Sequence, residues 1–153
     1  MKLAKRIVLP AMYTALLIGG QIALSGVSGV EIVTVLLLTF CFRFGILQGL
    51  IVATGFSLLR NFYFGFYPTV ILLYMIYFNL FAIVFGALGH VFGRKYSLKS
   101  HVVLIVTAVF MTVLFTAIDN VITPLVFGMD LDRAKGYWIG SLSAVIPQSI
   151  CAC

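Results

Sequence analysis

The run "VVLIVTAVFMTVLF" at positions 102–115 contains no charge and almost no polarity, and "PTVILLYMIYFNLFAIVFGALG" at 68–89 is equally apolar and longer. Stretches of this kind limit the fold more than any other feature of the chain. A soluble fold of 153 residues cannot hide them, because the whole chain is 63% hydrophobic and only 9% charged. Ordinary soluble domains are about 45–50% apolar and about 25% charged. The composition predicts an integral membrane protein. With no water in a bilayer core, every backbone amide must be paired internally, which leaves helices or a closed barrel. A barrel would alternate apolar and polar residues over stretches of roughly ten. The runs here are continuous, so the predicted fold class is all-α, a polytopic transmembrane helix bundle.

A single domain over 1–153 with six helices is expected, at about 7–25, 30–42, 46–59, 68–89, 101–119 and 136–153. About 20 apolar residues suffice for one crossing. The interval 30–59 is the difficult one, because Arg43 lies inside it in "FCFRFGILQG". As one span it would bury Arg43 at a cost of roughly 2.5–3.5 kcal/mol, which about ten Leu, Ile, Phe or Val neighbours could offset. As two spans turning at Arg43–Gly45, each helix reaches only roughly 18–21 Å across a core of about 30 Å. Charge placement favours two. With the N-terminus cytoplasmic, Lys2, Lys5, Arg6, Arg43, Arg94, Lys95 and Lys99 fall inside and only Arg60, Arg133 and Lys135 outside, as the positive-inside rule requires.

The net charge of +6 is too scattered for a nucleic-acid surface. Cys41, Cys151 and Cys153 match no zinc or disulfide spacing. The basic start resembles a signal peptide, but no small-residue cleavage site leads into a soluble domain, so it reads as a retained first span. The closing stretch "GYWIGSLSAVIPQSICAC" has no basic anchor and is barely long enough to cross, which predicts truncation inside the last helix.

Ionisable groups at membrane depth are costly and so become functional candidates. Glu31 opens the second helix, where the helix dipole favours a carboxylate and a ligand contact is the alternative. Asp119–Asn120 closes the fifth helix, where an acid gains nothing from the dipole. "RNFYFGFYPT" at 60–69 combines a cation, an amide and five aromatics. It reads either as an interfacial aromatic belt or as a site for a planar polar ligand held by stacking and hydrogen bonds. Asn79, Trp138 and Gln148 are weaker polar or aromatic points. His90 and His101 flank the basic loop without the further ligands a metal needs. No P-loop, H-E-x-x-H or G-x-S-x-G is present, so no catalytic residue, metal or cofactor is predicted.

One strip remains unexplained. In "AMYTALLIGGQIA" every fourth residue is small: Ala11, Ala15, Gly19 and Ala23. They form one inclined row on a helix, suited to close contact either within the bundle or with a partner. Combined with the Gly-containing first loop, "VEIVTVLLL", the short turn "FRFG", "GLIVATGFSLLRNFYFGFYPT" and "GALGHVFGRK", this order resembles the S components of energy-coupling-factor (ECF) vitamin transporters, over essentially the whole chain.

That resemblance implies a substrate-binding subunit in the plasma membrane of a prokaryote. Its partners would be a transmembrane coupling subunit and two ATP-binding subunits, with no ATP hydrolysis in this chain. It implies that Ala11, Ala15 and Gly19 touch the coupling subunit. It also implies an outer-face cavity for a vitamin-like ligand, formed by Glu31, Arg60, Asn61, Tyr67, Tyr74, Asp119 and Trp138. "EIVT" and "RNFYFGF" are similar to a cobalamin-related branch. Two other classes stand beside it. One is an intramembrane enzyme using Asp119, Glu31 or a His. The other is a structural or channel-like subunit, for which Gln21, Gln48, Asn79 and Gln148 supply too few polar positions along one face.

Overall fold

A computed structural model describes residues 2–25, 32–94, 98–130 and 132–141, with side chains from residue 7 onward. Among them every regular element is an α-helix: α1 (Lys2–Ala23), α2 (Ile32–Phe44), α3 (Ile46–Leu59), the single turn α4 (Asn61–Phe64), α5 (Pro68–Val91) and α6 (Leu98–Phe127). A further helical segment occupies 132–141. Two helices, α5 and α6, are long and apolar enough to cross a membrane.

The described part of the interval 30–59, from 32 onward, is two helices. Gly45 separates them at φ +90°, a conformation that is strained for any residue with a Cβ. The chain reverses there. Thr14 of α1 lies against Gly55 while Gly20 lies against Ile32, and the Tyr13 hydroxyl donates to the Leu36 carbonyl at 3.0 Å. Thus α1 runs parallel to α3 and antiparallel to α2, and α2 and α3 form a hairpin.

Helix α5 packs along that hairpin. Gly86 faces the backbone of Ile46, and Gly89 faces the Phe42 carbonyl. Further along, the Thr54 hydroxyl donates to Asn79 Oδ1 at 2.9 Å and the Ser57 hydroxyl to the Tyr74 carbonyl at 3.1 Å. The core between these helices is largely aromatic. Phe40, Phe42, Phe56, Phe81 and Phe85 are fully buried with Leu17, Leu37 and Met111.

Local signals set the helix ends. Pro68 opens α5 at a position where its missing N–H costs nothing. Gly93, at φ +59°, closes it: the Arg94 N–H reaches the Gly89 carbonyl and the Gly93 N–H that of His90, a Schellman ending. Gly128, at φ +57°, ends α6, with the Met129 N–H on the Pro124 carbonyl.

Two expected boundaries move. Asp119 does not close the fifth long helix, which runs on to Phe127. The carboxylate accepts the Thr123 hydroxyl one turn later at 2.7 Å and the Tyr137 hydroxyl at 2.5 Å, so it is satisfied within a continuing helix. The last helical segment is already formed at 132, ahead of the expected start at 136, close to Asp130 and Asp132, acids of the kind a helix N-terminus favours.

The bundle therefore has two chemically different ends. The start of α1, Arg43 of the α2–α3 turn, Arg94 and Lys99 share the turn end, where the Arg94 guanidinium lies against Gly45. Arg60, Arg133 and Lys135 share the other end. Lys95 is outside the described residues, as is residue 142 onward, where Gln148, Cys151, Cys153 and the question of truncation lie.

Candidate functional site

Helix α2 begins level with the middle of α5, since Val33 and Thr34 meet the same cavity as Tyr77 and Phe78. Beyond its first turn α1, α5 and α6 continue toward the end where α3 gives way to α4. A partly open cavity of about 240 Å³ lies there. Its floor is Ile32, Val33 and Thr34 of α2. Gln21 lines it from α1, with Leu24 and Ser25 just past the end of that helix, and Tyr74, Tyr77 and Phe78 line it from α5. Thr112 and Phe115 of α6 and Phe64 of α4 close the remaining sides.

The walls are mostly flat rings braced by one another. The Tyr77 and Phe115 rings meet edge-to-face at 4.8 Å, Tyr74 and Phe115 at 6.0 Å, and Phe56 and Phe78 at 5.3 Å. Such pairs add about 0.5–1.5 kcal/mol each beyond their buried area, so the walls are held in place before any ligand arrives.

Arg60 stands at the joint between α3 and α4, where its N–H completes α3 on the Phe56 carbonyl and its own carbonyl accepts the N–H groups of Tyr63 and Phe64. Its side chain turns inward and is only 8% exposed. The guanidinium lies 4.0 Å from the Tyr74 ring centroid and 4.8 Å from that of Phe64. Its Nε donates to Gln21 Oε1 at 3.1 Å. All three residues that its side chain contacts, Gln21, Tyr74 and Phe64, line the cavity, so Arg60 sits directly behind that wall. No carboxylate among the described residues pairs with it; the one ion pair there is Lys135–Asp132 at 3.6 Å. Each cation–ring contact stabilises by about 0.5–2 kcal/mol but leaves the charge unneutralised.

The other expected site residues divide clearly. Tyr74 lines the cavity. Asn61 is 2% exposed and caps α3 instead, its Nδ2 donating to the Ser57 carbonyl at 2.6 Å and the Leu58 carbonyl at 3.3 Å, while its buried Oδ1 has no partner. Tyr67 is exposed and lies against Gly65, away from the cavity. Asp119 and Trp138 do not line it either. The Trp138 indole donates to the Asn120 carbonyl at 2.9 Å, so both residues fasten the segment 132–141 to α6. Glu31 is outside the described residues, although its neighbour Ile32 and Ser25 both line the cavity. Asn79 ties α3 to α5 and faces no ligand space.

Gln21 is the cavity-lining position that sequence reading undervalued. It continues the buried row Pro10, Thr14, Leu17 of α1, and this inward spacing was the available signal. The strip Ala11, Ala15, Gly19, Ala23 lies on the opposite side of α1 and is exposed throughout. A Cβ at Gly19 would meet nothing within 4 Å. No group of three or more His, Cys, Asp or Glu able to hold a metal occurs among the described residues. Comparison of the chain with protein-family models, with curated proteins and with solved structures gave no match.

Proposed function

We propose that this chain is a membrane-embedded substrate-binding subunit of the ECF S-component kind. It would capture a small molecule at the end marked by Arg60 and hand it to an ATP-driven coupling module. The observation that carries the reading is the cavity itself: ring-walled, partly open, and backed by a buried cation that pairs with no carboxylate among the described residues. Ligand sites are characteristically concave and mostly apolar, with a few placed polar groups.

Other features support the membrane setting. The apolar windows of α5 and α6 are only 39% and 22% buried, and Leu72, Ile76, Val106, Phe110 and Val113 point outward. A soluble protein rarely exposes apolar patches of more than a few hundred Å². Six described or partly described cations at the turn end against three at the other suit the positive-inside pattern with the N-terminus cytoplasmic, and that orientation would give the cavity an outward-facing position. The volume favours a ligand of one or two rings over a corrin-sized macrocycle. Asp119, bonded on both oxygens, favours a fastening role over acid–base chemistry.

In lipid, small-residue strips allow close helix approach and are a main source of association, so the exposed strip of α1 suits a coupling subunit. The test is Ala15→Leu in a cell carrying the coupling module. It should abolish ATP-dependent uptake of the ligand recovered with the purified protein and leave ligand retention by the free subunit unchanged. Loss of retention and uptake together would return the strip to internal packing and remove the transporter reading.

A further inference from the structure

Resting on the ligand-binding reading above, we propose that the cavity selects a planar anion: a one- or two-ring aromatic carboxylate whose charge is read by Gln21 and Arg60 together. An arginine has five N–H donors and accepts nothing, so the atom of Gln21 facing Arg60 Nε must be the oxygen, as the 3.1 Å contact has it. That turns Oε1 toward Arg60 and leaves the Gln21 NH2, a donor only, as the end of the amide available to a ligand in the cavity that Gln21 lines.

Behind it stands a cation that is 8% exposed, flanked by two ring faces and paired with no carboxylate among the described residues. A neutral acceptor on the ligand would satisfy Gln21 and leave Arg60 uncompensated. A carboxylate satisfies both, accepting from the amide and neutralising a charge one side-chain layer away, where the low dielectric makes the attraction strong. A cationic ligand would meet like charge. The body of the ligand is constrained separately: the rings of Tyr74, Tyr77, Phe78 and Phe115 line a space of about 240 Å³, which suits a planar ring system.

The experiment uses the full chain in lipid nanodiscs and titrates 2-naphthoate and 2-naphthamide, which match in shape and differ in charge. The carboxylate should bind more tightly by roughly ten- to a hundredfold, the worth of a charge-assisted hydrogen bond. Arg60→Met, which keeps a long side chain between the rings, should erase that preference, and Arg60→Lys should retain part of it. Where Arg60→Met does not fold, Gln21→Glu serves instead, since a fixed anion against Arg60 should erase the preference equally. Equal affinity for the two probes in the wild type, or a preference that survives these substitutions, overturns the proposal while leaving the ligand-binding reading intact. Binding of neither probe at its solubility limit overturns both.

Discussion

Gly86→Ala should destabilise the bundle, and Gly19→Ala should do the reverse. A methyl group at Gly86 would lie 2.6 Å from the backbone nitrogen of Ile46 and 2.7 Å from both its Cα and its Cγ1. Two of those three atoms are backbone and cannot rotate away. Relief requires α5 to move off the α2–α3 turn, which loosens the seam where Phe42 and Phe85 pack. Overpacking costs about 1–3 kcal/mol, and a backbone clash belongs at the upper end. Replacing a helical glycine by alanine recovers roughly 0.5–1 kcal/mol, leaving a net loss of about 2 kcal/mol, or on the order of thirtyfold in the folded population. Gly19 has nothing within 4 Å, so there only the gain of roughly 0.5–1 kcal/mol applies. Reversible unfolding in mixed micelles, followed by near-ultraviolet circular dichroism, measures both. A Gly86→Ala protein as stable as the wild type would contradict the close approach of α5 to the turn. Strong destabilisation by Gly19→Ala would mean that the bare side of α1 is packed inside the subunit.

Two further outcomes test the architecture. In a background lacking all three cysteines, a single Cys replacing Arg43 or Lys99 should react with an impermeant thiol reagent from one side of the membrane, and one replacing Arg133 only from the other. Labelling of positions 43 and 133 from the same side would refute the hairpin and the assignment of ends. Asp119→Asn should lower thermal stability by about 1.5–3 kcal/mol, the value of a hydrogen bond to a charged group. Tyr137→Phe should add little on top of it, since the two groups share one bond, and full additivity would rule out that direct bond.

The helices were legible wherever the apolar runs were punctuated by Gly, Pro or charge. The reversal at Arg43–Gly45 could be anticipated because a cation and a permissive glycine coincide there, and the positive φ of Gly45 supplies the physical reason. The overrun of α6 to Phe127 was hidden, because Asp119 looks like a stop until its two hydroxyl partners are known, and Tyr137 is 18 residues away. The site was half legible. Arg60 and Tyr74 stood out by type, whereas Tyr67 and Trp138 share their chemistry and differ only in the direction they face. Asn61 adjoins Arg60 in sequence, yet one position along a helix is about 100° around it, enough to turn it from the cavity to the end of α3. The inward row of α1 points Gln21 toward the core, but its contact with a residue 39 positions distant is something that row does not reveal.

The brevity of α2 sets how far a bound molecule has travelled. Thirteen residues at about 1.5 Å each give a helix of roughly 20 Å. On the membrane reading, with Arg43 at the inner headgroups, the floor of the cavity therefore lies roughly 10 Å below the outer edge of a hydrocarbon layer about 30 Å thick. A captured molecule is a third of the way across before any partner acts. The remaining two thirds are filled by Leu37, Phe40, Phe81 and Phe85, all buried and without a polar step between them. On the proposed reading, the described residues form a mouth and a closed core beneath it: the subunit would work as a receptor, and passage to the far side would require a rearrangement of this packing.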